Sequence, residues 1–178
     1  MTAGSPRVDV ERFAVTPDCS QAEFLAAVRV YAREVVATHD LTATVSDLDW
    51  EVSTRAKRRA GAVKHRDSDP ETVVLTWAHF AEQGWAATAA TVRHELAHVH
   101  LLNEHGDAGH GDRFRALAAR LNAPRHCERF VPPTWWVVCT DCGARLARYR
   151  RSKLVTDPGQ YQCGECGGSF RVERNDED

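Results

Sequence analysis

A chain of 178 residues that is 43% apolar and 27% charged, with a formal net charge of −2, can bury one good core and carry a small appendage. Nothing in it approaches the roughly 20 apolar residues of a membrane span, and the first thirty residues hold no basic stretch followed by an apolar run; no membrane partner and no secretion are expected, and the chain reads as intracellular, in the cytoplasm. The near-neutral balance argues against indiscriminate binding to polyanions, so any nucleic-acid contact has to come from local patches.

Residues 1–17 read as a polar leader, with Phe13 and Val15 able to pack locally. "SQAE" at Ser20 is a capping box, and Phe24, Val28, Tyr31 and Val35 recur at helical spacing, which predicts a first helix over about 20–38 with one face buried. From Leu41 to Trp77 the β-branched segments "TATVSDLDWEVS", "AGAVKHR" and "ETVVLTW" predict three short strands, the last two joined by a turn at "RDSDPE". A second long helix is expected after Gly84, from about Ala86 to Asn103, with Gly106 marking its end. "DRFRALAARLN" repeats Phe114, Leu117 and Leu121 on one face and makes a third helix; Pro124, Pro132 and Pro133 then close the domain. Beyond Trp135 the chain becomes a short unit bracketed by CxxC pairs, ending in the polar tail "RVERNDED".

Five of the nine histidines fall between Arg93 and Phe114. His94, Glu95 and His98 spell HELAH, an HExxH match on the second helix. Two histidines four apart lie about 40° apart around a helix and about 6 Å apart along it, so both imidazoles converge on one zinc ion. Glu95 sits beside them, within reach of a metal-bound water. That is the layout of a zinc hydrolase, in which the ion activates water and the glutamate takes its proton and passes it to the leaving amine. Chance alone places such a motif about three times in a hundred chains of this composition, so its context on an independently predicted helix matters. The bland alternative is a helix whose histidines are surface or satisfied core residues.

A catalytic zinc needs a third protein ligand and one open position. His100 points about 200° away from His98 and is out; His105 lies about 10 Å further along and serves only if the helix breaks early. Glu104 stands where a metzincin has its third histidine, but Leu101 replaces the glycine that lets the chain turn there. His110, in Gly109-His110-Gly111 between two helices, is the favoured third ligand, with His105 and Glu104 as the alternatives.

HELAH, a short loop, GHG, Phe114, "RHCERF" and a double CxxC unit together resemble the SprT/Spartan metalloprotease family, from the helix near residue 20, through the strands around "RAKRRAGAVKHR", to the terminal ribbon. The resemblance implies a minimal zinc protease core whose members cleave proteins on DNA, above all proteins crosslinked to it, with His94, His98 and His110 as zinc ligands and Glu95 as the catalytic residue. The loop between His98 and His110 is shorter than in animal Spartan proteins, and no tail with partner-binding motifs is expected after the ribbon.

Six cysteines suggest disulfides at first sight, but Cys139-Thr-Asp-Cys142-Gly and Cys163-Gly-Glu-Cys166-Gly are two knuckles at ribbon spacing, and each offers two thiolates to one structural zinc. Four thiolates leave no open position, and a redox dithiol would need a βαβ context that is absent here. Cys19 and Cys127 read as buried reduced thiols. Between the knuckles, Arg145, Arg148, Arg150, Arg151 and Lys153 surround Tyr149, with Tyr161 after them and Trp135 and Trp136 before; charge for phosphates and faces for unstacked bases suit single-stranded or partly unpaired DNA. A second basic cluster, Arg55, Lys57, Arg58 and Arg59 with Lys64, His65 and Arg66, falls in the strand region. The alternative for both is a merely solvated charged face.

The expected architecture is α+β: a leader over 1–17, a minimal zincin-like metalloprotease core of three helices packed on a short β-sheet over 18–130, and a small four-cysteine zinc ribbon with its polar tail over 131–178. The expected function is that of a zinc metalloendopeptidase, stimulated by DNA and cleaving DNA-associated or DNA-crosslinked proteins, with one catalytic and one structural zinc. The competing expectation is a DNA-binding ribbon protein whose zincin core is idle. Glu95 separates the two, because a pure binding module has no physical need for a carboxylate there.

Overall fold

A computed structural model describes residues 7–126 and 132–175. The chain divides into two compact units, Met1–Phe130 and Val131–Asp178.

In the first unit, helix α1 spans Gln21–His39. Its start is the expected capping box: the Ser20 hydroxyl accepts the Glu23 N–H at 3.2 Å, and the Glu23 carboxylate accepts the Ser20 N–H at 2.8 Å. Phe24, Val28, Tyr31 and Val35 are fully buried, as their spacing requires. Strands β1 (Asp49–Ser53), β2 (Gly61–Arg66) and β3 (Asp69–Thr76) follow. The turn between β2 and β3 places Asp67 and Ser68 at positive φ, the backbone that a tight hairpin of right-handed twist needs. The sheet order is β1-β3-β2, with β1 parallel and β2 antiparallel to the central β3. Central β3 is buried from Thr72 to Thr76, while β2 is left at an edge.

Helix α2 runs Trp77–His105, longer than expected at both ends. Gly84, at φ 76° and ψ −171°, breaks the helical path without ending it, so a first segment precedes the glycine that looked like a boundary. That segment is apolar where it meets α1: the Phe24 ring lies 4.5 Å from Phe80 and 5.6 Å from Trp77. Gly106, at φ 63°, closes the other end by donating to the Leu101 and Leu102 carbonyls. Helix α3 (Asp112–Arg120) buries Phe114, Leu117 and Ala118.

Residues 7–17, expected as part of a polar leader, are docked on the core. Val8, Val10, Phe13 and Val15 pack against it, and the Trp85 indole N–H donates to the Val10 carbonyl at 2.8 Å. Their apolar side chains are too irregularly spaced to form a period, which is why the stretch reads as polar.

The second unit is a three-stranded antiparallel sheet, order β5-β4-β6, of β4 (Trp135–Cys139), β5 (Arg145–Arg148) and β6 (Phe170–Arg174), with the short helix α4 (Lys153–Thr156) between β5 and β6. The molecule is thus α+β, with two small sheets. No helix among the described residues is long and apolar enough to cross a membrane.

Candidate metal centres

His94 and His98 project from one face of α2, and the glycine-flanked turn before α3 brings His110 to them. The three Nε2 atoms form a triangle with all sides 3.2 Å. Nitrogens held at zinc–imidazole distance around a tetrahedral centre stand about 3.3 Å apart, so the triangle has the dimensions of a ligand set. Hydrogen bonding among the rings does not account for it, because three nitrogens facing one point have no geometry in which each is paired. Burial holds all three imidazoles below the ordinary histidine range, His98 down to about 3, so they are neutral and ready to ligate. On its far side the His94 Nδ1 donates to the Pro124 carbonyl at 2.8 Å, which turns the Nε2 lone pair toward the centre. The Phe114 ring floors the site, 4.5–4.8 Å from all three imidazoles.

The alternatives for the third ligand lie elsewhere. The helix does not break early; His105 is its last residue, and both it and Glu104 are exposed. His100 is occupied on another face, accepting the Thr42 N–H at 3.1 Å.

Glu95 is 3% exposed, and burial pushes its carboxyl up to about 8, against the pull of the Arg59 charge. Its position depends on a glycine of β2. A Cβ at Gly61 would stand 2.7 Å from Glu95 Oε1 and 2.9 Å from Thr91 Cγ2, so only glycine lets β2 close over the carboxylate. The result is an open cleft of about 300 Å³ with Gly61, Val63 and His65 of β2 on one side and Glu95 with the three histidines on the other. His65, one of the basic residues of the strand region, faces the cleft. No local signal marks Gly61 or His65, because what makes them matter is the approach of a distant strand.

In the second unit Cys139, Cys142, Cys163 and Cys166 have all four sulfurs within 4.8 Å of one another. Cys139 to Cys166 is 3.5 Å and Cys142 to Cys163 is 3.7 Å. A disulfide needs about 2.05 Å, whereas thiolates around one tetrahedral zinc stand about 3.8 Å apart. Gly143 and Gly167, at φ 75° and 76°, turn the backbone under the sulfurs. Backbone N–H groups of Cys142 and then Asp141 pull the Cys139 thiol down to about 7, toward the thiolate that a metal takes. Both donor sets are consistent with zinc. Cys19 is half-buried and free; Cys127 lies outside the described residues.

The family model of the SprT-like family matches residues 28–133. This chain belongs to the SprT-like family. The matched stretch holds all three histidines and Glu95 and stops short of the four cysteines. The chain is 31% identical over 107 residues to the Protein SprT-like of Geobacillus kaustophilus (strain HTA426), a match covering 56% of this chain and 69% of that protein. A Protein SprT-like of Geobacillus sp. (strain WCH70) is 33% identical, covering 49% of this chain and 59% of the relative. That of Streptococcus sanguinis (strain SK36) is 37% identical, covering 46% and 55%.

The residues expected to meet DNA do not share one face of this SprT-like chain's ribbon. Directly paired residues of an antiparallel sheet share a side, so Trp135 stands with Arg148, and Trp136 stands with Ala147 and Glu173 on the opposite side. Arg145 is engaged internally: its guanidinium lies 4.4 Å over the Trp136 ring and 3.6 Å from the Glu173 carboxylate. Arg150 and Arg151 are exposed after β5, Tyr149 is half-buried, and Lys153 opens α4. In the other basic cluster, Lys64 pairs with Glu51 at 2.6 Å and Arg66 with Glu71 at 3.5 Å. Arg55, Lys57 and Arg58 are exposed in the loop before β2, with no ion pair among the described residues.

Proposed function

We propose that this chain is a zinc metalloendopeptidase that works inside the cell on proteins bound or crosslinked to DNA. The observation that carries the reading is the triangle of imidazole nitrogens beside a buried carboxylate, opening together into a cleft. Zinc held by His94, His98 and His110 would supply a Lewis acid for water and for the scissile carbonyl. Glu95, whose burial raises its affinity for a proton, takes that proton from water and delivers it to the leaving amine. Edge strand β2 borders the cleft, and its free backbone groups can pair with an extended peptide, laying a scissile bond across Glu95. An unpaired buried carboxylate costs stability, which an idle core would have no reason to keep.

DNA is the proposed stimulant, preferably single-stranded. Exposed Arg150, Arg151 and Lys153 supply charge in the ribbon, and Trp135 beside Arg148 supplies a stacking face. Cys139, Cys142, Cys163 and Cys166 would hold the structural zinc. The test is cleavage of a DNA-binding protein by the zinc-loaded chain with and without DNA, beside the Glu95→Gln variant. Cleavage by wild type alone, faster with DNA, is the expected result. DNA binding with no cleavage under any condition would favour a binding module instead.

A further inference from the structure

Arg93 precedes the first candidate metal ligand by one residue and is therefore turned about 100° from it around α2. It reaches into a second cavity, of about 650 Å³, that has no part in the chemistry above. Arg93 as a whole is 9% exposed. Nε and Nη2 donate to the Asn122 carbonyl at 3.2 and 3.0 Å, and Nη1 donates to the Tyr31 hydroxyl. Three of its five N–H groups are thereby used on neutral oxygens, and no carboxylate meets it among the described residues.

The other charges around the cavity have the same sign. Arg120 and Arg7 line it, and none of the described residues lining it is acidic. His39, from the last turn of α1, lines it too; it is 7% exposed, and its ring has no hydrogen-bond partner among the described residues. Burial, then the charges of Arg120 and Arg93, holds that imidazole below the ordinary histidine range, so the positive field reaches it. The Tyr31 hydroxyl accepts from Arg93, which leaves its own proton free to donate. Val8, Val10 and Leu121 add an apolar wall. A buried cation without a counter-charge is costly unless something supplies one, and three guanidinium groups around one space best match a dianion.

We propose that this cavity binds a small organic phosphate, its phosphoryl group on Arg93, Arg120 and Arg7 and its organic part against the apolar wall. The arginine forks match phosphate oxygens two at a time, and the volume exceeds what a bare phosphate ion fills.

The test uses the full chain, titrated at constant ionic strength with inorganic phosphate, adenosine monophosphate and uncharged adenosine, followed by calorimetry and by the imidazole NMR signals of His39. Saturable binding of the monophosphate with a Kd below about 1 mM, tighter than inorganic phosphate and absent for adenosine, is expected, with the His39 signals shifting on saturation. Arg7 and Arg120 are exposed, so the Arg7→Ala/Arg120→Ala double variant should fold, keep its metal content and bind the monophosphate at least tenfold more weakly. Arg93→Lys should also weaken binding, because it keeps the charge and loses the fork. Failure of the monophosphate to bind, or binding no tighter than inorganic phosphate, overturns the proposal. So does affinity unchanged in the double variant, which would place the anion elsewhere, for instance on a metal ion.

Discussion

Glu95 and the three histidines pull the stability of the metal-free protein in opposite directions with pH. Burial lowers the folded-state pKa of the histidines, His98 to about 3 from an ordinary 6.5, so their contribution is complete above about 6.5 and is lost as pH falls toward 3. Glu95 is raised to about 8 from 4.5, so its contribution is complete below about 4.5 and is lost as pH rises through 8. Melting of the metal-free chain across this range should therefore show Glu95→Gln more stable than wild type near pH 8, with the gain shrinking to nothing below about 4.5. The same variant, loaded with zinc, should keep its metal while hydrolysis falls by roughly two to four orders of magnitude. His110→Ala should lose metal affinity and His105→Ala should not; the reverse result in a metal titration would overturn the ligand assignment. Gly61→Ala should keep the metal but lower turnover, because the new methyl displaces the carboxylate. At this scale the sequence was informative wherever chemistry is local. HExxH spacing placed two imidazoles on one helix face, and flanking glycines singled out His110. Gly61, the Pro124 carbonyl and His65 belong to the site through contacts across 30 or more positions of chain, which no local pattern encodes.

Elements were legible where a period and a cap agree. Helix α1 shows both, and its observed start lies one residue from the expected one. The hairpin of β2 and β3 was legible from the polar turn between them. The parallel pairing of β1 with β3 was not, because side-chain alternation names a strand without naming its neighbour. Gly84 misled as a boundary: glycine at that backbone angle can equally bend a helix that tertiary packing carries on both sides. Its φ and ψ lie in a region nearly closed to other residues, so Gly84→Ala should cost about 1–3 kcal/mol, read as a lower midpoint in denaturant with metal content unchanged. Deleting residues 1–17 should also lower that midpoint, since it uncovers the core side chains on which Val8, Val10, Phe13 and Val15 pack.

For the whole molecule, the four cysteines lie in the second of two compact units, and their sulfurs come together there with the dimensions of a thiolate site. Metal analysis should accordingly find two zinc ions per chain, one on imidazoles and one on thiolates; one stoichiometric ion in a preparation with intact cysteines would count against the pair. The face taken by each side chain of the basic strip was not legible, because it depends on strand register. Replacing Arg150, Arg151 and Lys153 by alanine should abolish stimulation by DNA while leaving zinc content and cleavage of an unfolded peptide nearly unchanged. Equal DNA affinity before and after would make those cations inert surface charge.

Two neighbouring residues of α2 grip a single short stretch of chain: Arg93 holds the Asn122 carbonyl, and His94 holds that of Pro124. Whatever straightens or slackens residues 122–124 is felt at both grips. Any coupling through this stretch between an anion in the arginine-lined cavity and a metal on the imidazoles would be symmetric: the factor by which zinc changed the affinity for the anion would equal the factor by which the anion changed the affinity for zinc. Measuring either one fixes the other.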